Sequence, residues 1–151
     1  MHKINSIYDL LNIAPLFLIQ KFLQCKRLKE RSDFHSEKNT AEHIKIVVEK
    51  LITTNDINLI LAGLYHDICK FDAAILDINN DYKLAMEEFN DNKHFSINRF
   101  LLNMKTGKLK THDHPTLAIK FINEKENIKF IEDLGGDVIL IKWLVENHMK
   151  N

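Results

Sequence analysis

Five of the eight histidines stand where they could do chemistry: His43, His66, His112, His114 and His148. His66 lies beside Asp67 near the end of the apolar run ILAGLYHDICK, Ile60 to Lys70. An imidazole and a carboxylate closing such a run must be hydrogen-bonded, ion-paired or metal-bound, because burying either without a partner is costly. His43 falls in the first turn of its helix, where the dipole disfavours imidazolium and keeps the ring neutral, as a ligand must be. His112 and His114 flank Asp113 at the start of a further helix, and His148 ends the last one. Imidazoles and a carboxylate with no thiolate among them suit Zn, Mn, Fe or Ni, and do not suit a closed structural zinc site. Taken singly, each residue has a structural explanation: a lone His on an apolar helix is ordinarily a core residue, HxH recurs by chance, and a terminal His is solvated. Taken together, the five positions favour one shared site.

The elements that must position these residues read as helices. Four glycines and two prolines in 151 residues are too few turn formers for a sandwich or barrel. Pro15 suits a first helical turn, followed by Leu16, Ile19 and Leu23 on one face, with Lys21, Lys26, Arg27 and Lys29 elsewhere as a solvated surface. NTAEHIKIVVEKLI opens with Asn39 and Glu42 in capping-box spacing and continues with Ile44, Val47, Val48, Leu51 and Ile52 as a buried stripe. TTNDINLILAGLYHDICK offers Thr54, Asn55 and Asp56 as caps, then an almost wholly apolar body, so it is the expected central helix. The region from Phe71 to Lys110 is more polar, with short helices at DYKLAMEEF and FSINRFLLNM and a basic loop at KTGKLKTHD. Helical signals return at HPTLAIKFINE, with Pro115 in the first turn, and after Gly135-Gly136 at DVILIKWLVENHM. Trp143, flanked by Leu140 and Leu144, reads as a core residue. The expected fold is all-α, a bundle of about seven helices.

Composition bounds the function classes. Twenty-one basic residues balance twenty-one acidic ones, so no global field draws the chain to nucleic acid or anionic lipid. Cys25 and Cys69 make no disulfide framework and no CxxC, which fits a reducing interior. LLNIAPLFLIQKFL is too short and too polar to span a bilayer, and it lacks the layout of a signal peptide. The expectation is a cytoplasmic domain with no membrane partner; nothing in the sequence speaks to oligomeric state.

At this point the residues resemble a known family, the HD-domain metal-dependent phosphohydrolases. AEHI supplies His43, and YHDICK supplies the His66-Asp67 pair with Lys70. The resemblance is nearest to the HD domain of bacterial tRNA nucleotidyltransferases and its phage relatives, through the spacing of HSEKNTAEH, the segment HDHPTLAIKF and the late VENHM. It spans about residues 30 to 150, which implies a single HD domain over 1–151: an N-terminal helical segment, 1–30, and an HD core, 31–151. Cys69 and Ala118 stand where the family commonly has glycine, and the closing Asp expected on a later helix is missing from a chain that ends three residues after His148.

The resemblance implies hydrolysis of a phosphate ester. The implied metal ligands are His43, His66, Asp67, His112, His114 and His148, for one or two divalent ions (Mn, Ni, Fe, Mg or Zn). Asp67, Lys70 and His114 are the expected catalytic residues; His35, Glu37 and Lys70 are the expected substrate contacts. Lys105, Lys108 and Lys110 could steer a polyanion. The expected substrate is a nucleotide or an RNA end, with 2',3'-cyclic phosphodiesterase or phosphatase chemistry. Two rivals remain: a nucleotidase or cyclic-oligonucleotide phosphodiesterase, and a non-catalytic HD-fold binding module.

Overall fold

The computed structural model describes residues 3–28, 39–75 and 114–147. Among these residues the protein is all-helical, as the periodicity requires: α1 (Ile7–Ile13), α2 (Leu16–Cys25), α3 (Thr40–Ile52), α4 (Ile57–Tyr65), α5 (His114–Ile122), α6 (Lys125–Asp133) and α7 (Val138–Asn147). Residues 66–69 form a turn after α4, and 70–75 are helical again. The expected helices at DYKLAMEEF and FSINRFLLNM, and the basic loop with Lys105, Lys108 and Lys110, lie outside the described residues.

Local chemistry sets the helix starts. The Asn39 side chain accepts from the Glu42 N–H at 2.8 Å, so α3 begins where the sequence expects it to. Of the three cap candidates before α4, Asp56 is the one used: its Oδ1 accepts from Asn58 N at 3.0 Å and Leu59 N at 3.4 Å. Each such cap satisfies amide groups that the helix itself leaves without partners. Asp137 caps α7 in the same way, accepting from Ile139 N and Leu140 N, while its own amide donates to Asn58 Oδ1 at 2.7 Å. That bond ties the start of α7 to the start of α4. Pro15 sits one position earlier than expected, as the N-cap of α2.

The core is built around α4. Ile60 through Tyr65 are all buried, and α4 packs on α3 along one side and α7 along another. A buried leucine such as Leu61 or Leu64 contributes about 1.5–3 kcal/mol relative to exposure. α1 and α2 cover α3, and α5 packs principally on α7. Two burial expectations are corrected here. The buried face of α2 is Leu18, Phe22 and Cys25, whereas Leu16 and Leu23 are exposed and Ile19 is half-buried. Trp143 is 50 % exposed, not a core residue, and Leu140 beside it is also exposed; the face of α7 turned inward carries Ile141 and Val145. Both helices have apolar residues on more than one face, so local pattern leaves the choice to their neighbours.

Two elements were not singled out in the sequence, α1 and α6. α6 is short and mostly polar, and it ends through Gly135, whose φ of 82° lies in the left-handed region. Gly136 follows in a confined position, where an added Cβ would stand 2.8 Å from Ile131 Cγ2 and 3.1 Å from the Ile131 carbonyl oxygen. No helix among the described residues is long and apolar enough to cross a membrane.

Candidate metal centre

α4 stops at Tyr65, and the turn that follows delivers His66 and Asp67 to the end of the core. The helix is closed from within: the His66 amide donates to Ala62 O at 2.9 Å, and the imidazole Nδ1 of the same residue bonds the Gly63 carbonyl. Cys25, from α2, supports the turn from below by directing its thiol at the Ile68 carbonyl, 3.5 Å away. Lys70 N donates to Asp67 O at 3.1 Å as the chain resumes a helical path.

Around the Asp67 carboxylate, four side chains from three segments converge. His43 Nε2, from α3, lies 3.2 Å from Oδ2, and His66 Nε2 lies 3.0 Å from the same oxygen. Lys70 Nζ is 3.5 Å from Oδ2. His114 Nε2, at the first residue of α5, approaches the other oxygen, Oδ1, at 3.1 Å. Asp67, His43 and His66 are buried. Burial alone would raise the Asp67 pKa, but the charge on His66 and hydrogen bonds from His114, His43 and His66 outweigh it and hold the carboxyl well below the usual range. Asp67 is therefore an anion in the interior.

The donor set fits a divalent cation for a specific reason. A carbonyl oxygen can only accept, so the bond to Gly63 places the His66 proton on Nδ1. Nε2 points at a carboxylate oxygen 3.0 Å away, a contact bridged by a proton in the hydrogen-bonded state just described and by a cation, with the ring neutral, in a metal-bound one. Two acceptors face each other at that distance only if a proton or a cation lies between them. The Gly63 bond is also the outer-shell device that fixes the tautomer of a metal-ligating imidazole. His43, His66 and Asp67 each offer one ligand atom, and these atoms lie within 4.8 Å of one another. Neutral nitrogen plus carboxylate oxygen is a set for Zn, Mn, Fe or Ni.

The structure thus brings together His43, His66, Asp67, Lys70 and His114. It puts His114 on the opposite carboxylate oxygen from the two other imidazoles. His35, Glu37, His112 and His148 lie outside the described residues. Cys69 and Ala118 are both buried, so the side chains standing at these two positions pack in the interior. The Cys25 and Cys69 thiols are each pushed up to about 12, by burial first; Cys69, Asp67 and Asp72 add to the effect at Cys25. They are protonated and are not metal ligands in this state.

Two residues that touch the site's framework had no signal in the sequence. Tyr65 OH donates to Asn127 Oδ1 at 2.7 Å, and Asn127 Nδ2 donates to the Phe121 carbonyl at 2.8 Å. Tyr65 and Asn127 are buried. The partners are sixty-two positions apart, and Asn127 sits in a polar stretch with no motif around it. Compared with family models, curated proteins and solved structures, the chain matches none.

Proposed function

We propose that this chain is an HD-type, metal-dependent phosphohydrolase acting on a nucleotide or an RNA-terminal phosphate ester, with 2',3'-cyclic phosphodiesters as the specific expectation. The observation that carries the reading is the convergence of His43, His66, His114 and Lys70 on the single carboxylate of Asp67. With the imidazoles neutral, Lys70 balances Asp67, so a bound divalent ion would give the centre a net positive charge, which favours an anionic substrate.

His43, His66 and Asp67 would hold the ion. When bound, it supplies Lewis acidity toward a phosphoryl oxygen and lowers the pKa of coordinated water toward neutrality. The chain's own groups do the rest. Asp67, held by His114 through Oδ1, keeps Oδ2 aimed at the two imidazoles. Lys70 places a point charge beside the carboxylate, within reach of a phosphate oxygen. The His114 side chain is the most exposed of the five, at 22 %, so it is the imidazole of the centre best placed to meet a docked ester. His112, His148, His35 and Glu37 are proposed as further ligands and substrate contacts on the strength of the sequence pattern.

Metal analysis of the purified protein, followed by hydrolysis of a chromogenic phosphodiester with added Mn or Ni, tests the reading. Bound transition metal and turnover that disappear in Asp67→Ala are the expected result. A metal-free protein that stays inert across divalent ions would leave the non-catalytic binding module as the better description. A panel of cyclic phosphodiesters, mononucleotides and cyclic oligonucleotides then separates the two enzyme readings.

A further inference from the structure

α5 carries His114 but packs principally on α7, not on α4. His114 and Phe121 are seven residues apart, two helical turns, and so share a face of α5. Tyr65 ends α4, and Asp67 follows two residues later in the turn. Two contacts join α5 to this segment: His114 on Asp67 Oδ1 at 3.1 Å, and Phe121 against Tyr65, with ring centroids 6.0 Å apart at 56°. At the second contact Asn127 takes the Tyr65 hydroxyl on Oδ1 and gives Nδ2 to the Phe121 carbonyl. Neither end can be exchanged. The Phe121 oxygen accepts only, so it fixes the amide's orientation and leaves Oδ1 to accept from the Tyr65 hydroxyl.

We infer that Tyr65 and Asn127 are positioning residues for this centre: their hydrogen bond sets the placement of α5 so that His114 holds Asp67 Oδ1 and leaves Oδ2 facing His43 and His66. The bridge touches neither ion nor substrate. It acts through His114, as outer-shell partners act on a ligating carboxylate, where losing one costs about 10- to 100-fold in metal affinity. The inference rests on the metal-centre reading above.

The test uses full-length Tyr65→Phe and Asn127→Leu, each alone and combined with His114→Ala. Folding is followed by far-UV circular dichroism, and Mn2+ affinity by calorimetry. The expected result is a folded protein whose Mn2+ affinity falls about 10-fold in each single variant. In the His114→Ala background the same substitution costs nothing further, because the residue it acts through is gone. Unchanged affinity in both folded variants, or losses that add to that of His114→Ala, would overturn the inference and leave the bridge as a structural bond only. If wild-type protein binds no Mn2+, Co2+ or Ni2+, the metal-centre reading fails instead. The positioning claim is then decided by the His114 ring 15N shifts in metal-free protein, which move in Tyr65→Phe if the bridge places the ring and stay put if it does not.

Discussion

At the scale of single residues, the buried thiols give a measurable pH dependence of stability. Cys25 and Cys69 titrate near 9.0 when unperturbed and near 12 in the folded chain. Because the folded-state pKa is raised, the unfolded chain releases these protons first as pH rises. Stability is thus fully present below about pH 9 and is lost progressively toward pH 12, at up to about 1.4 kcal/mol per pH unit for each thiol. Urea midpoints measured across that window should fall steeply for the wild type and less steeply for Cys25→Ala, whatever the variant's stability at neutral pH. At neutral pH neither thiol should react with an aromatic disulfide reagent until denaturant is added. The hydrogen bonds around Asp67 make a second prediction: Asp67→Ala leaves His66 Nε2 without its anionic partner, so loss of metal binding should be complete, not graded.

At the scale of elements, the turn between α6 and α7 holds a close backbone approach. Gly136→Ala would place a methyl group 2.8 Å from Ile131 Cγ2, 3.1 Å from its carbonyl and 3.2 Å from Ile141 Cδ1. Both isoleucines are fully buried, so neither can swing away. Thermal or urea unfolding should show a loss of about 1–3 kcal/mol, the usual cost of overpacking a core. Gly135→Ala meets no atom within 4 Å and acts only through its left-handed φ, with a smaller expected cost of about 1 kcal/mol. If the order of these two effects were reversed, steric crowding would not be what limits this turn. The same turn starts α7, whose inward face packs on α4, so its integrity bears on the helix that presents His66.

At the scale of the whole molecule, ligand binding should appear as stability. A cation held by residues from α3 and from the turn after α4 binds the folded chain and finds no assembled site in the unfolded one. At a free concentration 100-fold above its Kd, the gain is about 2.7 kcal/mol, or about 5–10 °C in Tm for a domain of this size. Addition of Mn2+ or Ni2+ should produce that shift, chelator should reverse it, and His43→Ala should abolish it while still unfolding cooperatively. A Tm indifferent to divalent ions would count against the centre even if the side chains stay where they are.

The sequence by itself determined the all-helical class and the starts of α3 and α4, because capping and periodicity act over a few residues: Asn39 and Asp56 start these helices by bonds to their own next turn. It also marked His43, His66 and Asp67, which the fold brings together as a possible metal site, since an imidazole and a carboxylate closing an apolar run have few other uses. Tertiary structure alone decided which faces are inside. α2 has two apolar stripes, and only contact with α3 and the 66–69 turn selects Leu18, Phe22 and Cys25 over Leu16 and Leu23; Trp143 is exposed for the same reason. Only the tertiary structure, too, put His114 on Oδ1 and joined Tyr65 to Asn127. A hydrogen bond across sixty-two residues is made by the packing of helices, and no local pattern encodes it.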